Sequence, residues 1–277
     1  MASTSTFFLL LDFDGVISDS LHESFLTALN TYVECVPDHS LPLSKPLCWK
    51  NLHAFEKKES FLLSRFREMM PLANFAHDYL AVLMSIDQRR TIRNQQEFNA
   101  FKKQLKKRDS DDYAENFYRN RRRLRECHSE SWSDLMKPFP GMVKSLKRLS
   151  RLGQLAIGSS KDRFSIRTLL DQYGLSECFP ENRLLDKDFA ETKKEHVLHF
   201  LDQGISRQKF HFIDDKISHL MGVKPLGVNL VLAGWGYNTP REHRLAEKAG
   251  IGRLSLDEFL RWNPGSQTGP NPGLSLA

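Results

Sequence analysis

The segment Phe7 to Ser20, FFLLLDFDGVISDS, constrains this chain more than any other. Its five apolar residues, Phe7 to Leu11, run without alternation, as in a strand buried on both faces of a parallel sheet. The run stops at Asp12, Phe13, Asp14 and Gly15. Carboxylates at the carboxyl end of a buried strand stand where open α/β sheets bind ligands. Gly15 allows a sharp turn and a close ligand approach. Ser18, Asp19 and Ser20 then offer helix caps, and Ser20 with Glu23 has capping-box spacing. A solvated strand-to-helix turn has the same composition, so the motif gains meaning only from partners elsewhere in the chain.

With 277 residues, the chain is long enough for one large α/β domain or for a core carrying an insertion. Its 40% hydrophobic and 27% charged residues are those of a soluble globular protein. No run approaches the roughly 18 apolar residues of a membrane helix, so no membrane partner is expected. MASTSTFFLLLD lacks a basic n-region and its apolar run ends in an acid, which does not read as a signal peptide. Cys35, Cys48, Cys127 and Cys178 are scattered without metal-ligand spacing, as expected of reduced thiols in a cytoplasmic protein.

Past Asp19 the pattern turns helical. Leu21, Phe25, Leu29 and Val33 recur every four residues, until prolines between Pro37 and Pro46 break the run. Helical spacing resumes with Phe55, Leu62, Phe66 and Met69, and again through Phe98, Phe101, Tyr113 and Phe117. Residues 20–136 therefore read as an all-helical block. After the turn at Pro138 to Gly141 the character changes. A helix from Met142 precedes a short strand, Leu155 to Gly158, that runs into Ser159, Ser160, Lys161 and Asp162. A second helix closes at Gly174, Leu184 to Ala190 reads as loop, and Thr192 caps a helix reaching about Asp202. The strand Phe210 to Ile213 ends in Asp214 and Asp215, and a last strand, Val228 to Ala233, leads into Trp235 and Tyr237. The segment Leu254 to Trp262 closes the domain.

Strands alternating with helices predict a parallel sheet with helices on both faces, so the strand ends share one edge. Asp12 and Asp14, Ser159 to Lys161, and Asp214 with Asp215 would converge there. Four close carboxylates repel one another and raise each other's pKa. A hard divalent cation, Mg²⁺ above all where a phosphate is also bound, removes the conflict. An ionised carboxylate can then attack phosphorus, and a second carboxyl can protonate the leaving oxygen and activate water. A hydroxyl and a lysine can hold the transferring phosphoryl group.

On these motifs the chain resembles the haloacid-dehalogenase superfamily, in the phosphatase branch with a helical cap inserted after the first motif. DxDG matches at Asp12 and Asp14, the strand ending in Ser or Thr matches at Ser159, and the strand ending in two acids matches at Asp214 and Asp215. The lysine opening a helix falls in TKKEHVL, where spacing to Val197 favours Lys194 and leaves Lys193 open. The resemblance implies an α/β fold, with a Rossmann-like parallel-sheet core and an inserted all-helical cap. Core would occupy residues 1–19 and 137–262, cap residues 20–136, and a disordered tail 263–277. It further implies Asp12 as nucleophile, Asp14 as general acid and base, and Ser159, Ser160 and Lys194 (or Lys193) as phosphate ligands. Mg²⁺ would be held by Asp12, Asp14 through its backbone carbonyl, Asp215 and Asp214. The expected substrate is a small phosphate monoester.

A phosphomutase of the same family and a non-catalytic binding protein are the competing readings. Residues 101–125 carry 10 Lys or Arg against 4 Asp or Glu. They read as solvated helix faces, or as a surface for nucleic acid or another partner. His196 and His199 have no third ligand at metal spacing, and Trp235 and Tyr237 read as packing residues. His219, four past Asp215, is a candidate for lining the site.

Overall fold

A computed structural model describes residues 7–265. By internal contacts the chain divides into two units, one of Met1–Asp19 with Pro138–Ala277 and one of Ser20–Lys137. The predicted tail from Asn263 lies largely outside the described residues.

The first unit is built on six parallel strands. These are β1 (Phe8–Leu11), β2 (Gln154–Gly158), β3 (Leu184–Leu185), β4 (Phe210–Asp214), β5 (Asn229–Ala233) and β6 (Gly252–Leu254), in spatial order β3-β2-β1-β4-β5-β6. β1 lies at the centre, with Leu9 opposite Leu155 on one side and His211 on the other. A strand flanked on both edges and covered on both faces has no solvated side, which is why Phe7 to Leu11 is apolar throughout. Phe8 and Leu10 pack on one face with Val197 and Phe200, next to Leu220 and Val223. On the other face His211 of β4 meets the Trp262 ring at 5.3 Å. Leu184–Leu185 and Gly252–Leu254 form strands although neither was foreseen. Runs of two or three residues are too short to show a period, and pairing to the sheet edges decides their conformation.

The helices of this unit are α8 (Met142–Leu149), α9 (Arg163–Tyr173), α10 (Lys193–Asp202), α11 (Ile217–Val223), α12 (Pro240–Lys248) and α13 (Leu256–Arg261). Thr192, Thr239 and Ser255 each cap a helix in a reciprocal capping box with a glutamate three residues on. Gly141, at φ 79°, starts α8 where Leu260 leaves no room for a Cβ.

Apart from Lys137, which forms a two-residue strand with Pro138, the regular structure of the second unit is helical among its described residues. It comprises α1 (Leu21–Cys35), α2 (Leu52–Lys58), α3 (Ser60–Met69), α4 (Asp78–Asp87), α5 (Gln95–Lys102), α6 (Lys107–Cys127) and α7 (Ser129–Asp134), with short 3₁₀ turns between them. The anticipated Ser20–Glu23 capping box does not form, since Ser20 makes no side-chain cap hydrogen bond. Glu23 is engaged elsewhere. Fully buried, it accepts two 2.7 Å hydrogen bonds from the Arg121 guanidinium of α6. The guanidinium also stacks on Phe117, 4.7 Å from the ring centroid. Tyr113 donates to the Ala28 carbonyl at 2.8 Å and helps fix α6 against α1. Arg121 excepted, the basic residues of α6 are exposed or half-buried, and two of them pair with Asp111 and Asp112 on the same helix. No helix among the described residues is long and apolar enough to cross a membrane.

Candidate active site

The carboxyl edge of the sheet gathers the residues flagged by the sequence, and β1 positions the first of them. The Asp12 N–H donates to the Ile213 carbonyl at 3.0 Å, so the residue still follows the strand when its side chain leaves it. The loop then folds tightly, with the amides of Ile17 and Ser18 donating to Phe13 and that of Gly15 to Ser18. Gly15 has φ 78°, and a Cβ there would sit 2.3 Å from Asp215 Oδ2. A Cβ at Gly236 would meet Asp215 and the Gly15 carbonyl, each at 2.3 Å. Two glycines thus let two loops close over one carboxylate.

Each carboxylate of the first loop has its own lysine. Lys193 Nζ lies 2.8 Å from Asp12 Oδ1, donates to the Gly158 carbonyl at 2.6 Å, and stands 3.7 Å from Asp214 Oδ2. Lys161 Nζ lies 2.9 Å from Asp14 Oδ2, and its backbone N–H donates to Ser159 Oγ at 3.3 Å. Both lysines are buried, as are Asp12, Ser159, Asp214 and Asp215. Ser160 is half-buried, and no hydrogen bond joins it to the other described site residues.

The preference for Lys194 is corrected by the geometry. Thr192 is the N-cap, so Lys193 is the first helical residue and turns inward, while Lys194 is exposed. Counting back from Val197 as the first buried position misled, because His196 is buried too. Lys193→Met should lower turnover by about 10²-fold or more, as loss of one charge-stabilising donor does, whereas Lys194→Met should stay within about twofold. Steady-state rates of the two variants decide between them.

Buried charge dominates the electrostatics. Burial pushes the Asp12 carboxyl up; Lys193 opposes this, and the Asp214 charge adds to it. Asp215 is driven well above the carboxylate range by burial and by Asp214. Burial would raise Asp214 as well, but the His219 ring and Lys193 bring it to about 2. Burial works against the Lys193 ammonium, yet Asp12 and Asp214 hold its pKa above the ordinary value. His196 is lowered to about 3 by burial and then by Lys193, and stays a neutral packing group.

The site suits a hard cation. Three carboxylates are buried here, two of them paired with Lys193, and Asp215 Oδ1 is buried without a hydrogen-bond partner. Its other oxygen accepts from the Tyr237 N–H at 2.8 Å. Ligand atoms of Asp12, Asp214 and His219 lie within 4.8 Å of one another. His219, the candidate for lining the site, has its ring 3.0 Å from Asp214 Oδ2. Imidazole is a poor ligand for Mg²⁺, so the oxygen donors are the better match and His219 serves Asp214. Tyr237 had read as packing, but its amide holds Asp215 and its hydroxyl donates to Asp19 at 3.0 Å. Backbone amides leave no mark in a sequence.

A parallel sheet with acids at the carboxyl ends of its two central strands, faced by a lysine from a helix N-terminus, has the layout of an enzyme site of the α/β class. A family model described as haloacid dehalogenase-like hydrolase matches residues 9–227, and the chain belongs to that family. No curated protein matches the sequence significantly. Solved structures share the fold at low identity. A candidate phosphoglycolate phosphatase from Lactobacillus delbrueckii subsp. bulgaricus is 15% identical with a TM-score of 0.60, covering 93% of this chain and 97% of that one. A predicted phosphatase from Clostridium acetobutylicum is 13% identical with a TM-score of 0.58, covering 94% and 98%. A haloacid dehalogenase-like protein from Streptococcus pneumoniae is 14% identical with a TM-score of 0.57, covering 92% and 95%.

Proposed function

We propose that this hydrolase is a Mg²⁺-dependent phosphatase that cleaves a small phosphate monoester through an aspartyl-phosphate on Asp12. The observation carrying this reading is the division of labour between two carboxylates two residues apart, Asp12 held by Lys193 and Asp14 by Lys161. A nucleophile and an acid-base group must differ in environment to act differently.

Asp12 attacks phosphorus, the ester oxygen leaves, and Asp14 supplies its proton. Asp14 then takes a proton from water, which attacks the same phosphorus and frees Asp12. Lys193 and the Ser159 hydroxyl stabilise charge on the phosphoryl oxygens. Mg²⁺, held by the oxygens of Asp12, Asp214 and Asp215 and the Asp14 carbonyl, would neutralise the carboxylates and the phosphate together. Substrate selection is assigned to the helical unit, because it is inserted directly behind the nucleophile loop. The candidate phosphoglycolate phosphatase among the structural neighbours puts phosphoglycolate first among substrates to test.

The experiment is phosphate release from phosphoglycolate, sugar phosphates, nucleotides and a 3′-phosphorylated oligonucleotide, with and without Mg²⁺. Release that requires Mg²⁺ is expected, and release undiminished by chelation would sink the metal assignment. A second readout needs no substrate. Millimolar Mg²⁺ should raise the melting temperature by mass action, and Asp215→Asn should abolish that rise. An equal rise in the variant would take Asp215 out of the metal site.

A further inference from the structure

Away from the site, a groove of about 1130 Å³ runs along α8. Phe139 and Leu260 supply an apolar floor, while Lys144, Lys147, Arg148 and Arg151 line it at spacings of three, four and seven residues. Those spacings place all four cations on one side of the helix and its C-terminal extension. Arg148 is already committed, since its guanidinium donates to the carbonyls of Leu260 at 3.2 Å and Trp262 at 2.7 Å. These bonds tie α13 to α8 and fix the floor. Lys144, Lys147 and Arg151 are exposed. No acid lines this groove. An adjoining groove of about 670 Å³ shares Lys147 and Arg151, but Asp171 and Glu177 also line it.

We propose that the groove along α8 docks an extended acidic peptide segment of a partner protein, with carboxylates on Lys144, Lys147 and Arg151 and an apolar side chain on Phe139 and Leu260. Lys144 and Arg151 are about 10 Å apart along the helix at 1.5 Å per residue. An extended peptide places residues i and i+3 about 10 Å apart at 3.3 Å per residue, which matches acids bracketing an apolar anchor. A nucleic acid is the poorer occupant. Its phosphates would gain nothing from the apolar floor. The chain's own final stretch, SQTGPNPGLSLA, carries no acidic side chain and does not fit the cations.

The test is fluorescence anisotropy on the full chain with a labelled twelve-residue peptide of repeating Glu-Leu-Phe-Glu. A single-stranded DNA dodecamer and phosphatidylserine vesicles serve as competing probes. Saturable peptide binding is expected, weakening between about 50 and about 300 mM salt as exposed charges are screened. The charge-reversed variant Lys144→Glu/Lys147→Glu/Arg151→Glu should raise Kd at least about tenfold. Lys144→Arg/Lys147→Arg/Arg151→Lys should bind like the parent. All three positions are exposed and outside the catalytic site, so melting temperature and hydrolase turnover should not change. Peptide binding unaffected by charge reversal, absence of peptide binding, or tighter binding of DNA or vesicles would each overturn the proposal.

Discussion

Asp12→Asn should reduce phosphate release to background, a fall of at least about 10³-fold, corresponding to about 4 kcal/mol of transition-state stabilisation. The amide matches the carboxylate in shape and can still accept from Lys193, so position is kept and nucleophilicity lost. Folding should survive. Burial and the Asp214 charge both oppose ionisation at Asp12, so a neutral side chain relieves a cost that the folded state carries. Lys193 is not stranded by the change, since Asp214 still stands 3.7 Å from its ammonium, and the variant should melt no lower than the parent without metal. Single-turnover assays decide the outcome: release near the parent rate would place the nucleophile elsewhere. A lower melting temperature would show that the Lys193 pair stabilises the fold more than burial of Asp12 costs it.

The second large effect is on stability. Arg121→Ala leaves Glu23 fully buried without its guanidinium, with Thr27 Oγ1 at 3.2 Å among the donors that remain. Breaking a buried pair from one side costs about 3–5 kcal/mol, because the remaining charge is stranded. Replacing both partners, as in Glu23→Leu/Arg121→Met, should recover most of that loss, since the cavity stays filled and no charge is buried. Urea unfolding followed through tryptophan emission reads it out, Trp132 being wholly buried in the helical unit. A loss under about 1 kcal/mol for Arg121→Ala would mean that water reaches Glu23. A double variant no better than the single one would mean that the pair is needed for packing rather than for charge.

What the sequence made legible was governed by burial on two faces and by the acids that end it. The uninterrupted run Phe7 to Leu11, the acids at the ends of β1 and β4, and the hydroxyl after β2 could be read because a parallel sheet imposes them locally. The reading failed where a choice depended on rotation about a helix or on a distant partner. Lys193 and Lys194 differ by about 100° around α10, and only the cap at Thr192 decides which turns inward. Glu23 had the spacing of a capping residue but went to Arg121, 98 residues away. The amide of Tyr237 reaches Asp215 from a loop and the ring of His219 reaches Asp214 from the first turn of α11, and no period in the chain announces either.

The central position of β1 has a consequence for how the chain is made. Its partners, β2 and β4, follow roughly 150 and 200 residues later, and the whole helical unit is synthesised between them and β1. At about 5–20 residues per second, a ribosome leaves FFLLL unpaired for roughly 7–30 seconds before β2 is made. During that interval the helical unit can fold from contacts within itself, while the strand on which the acid-bearing edge is built has nowhere to go. A nascent chain stalled before Gln154 would thus present a folded helical unit joined to an exposed apolar β-segment. Such a segment suits chaperone capture, and without capture it can nucleate aggregation.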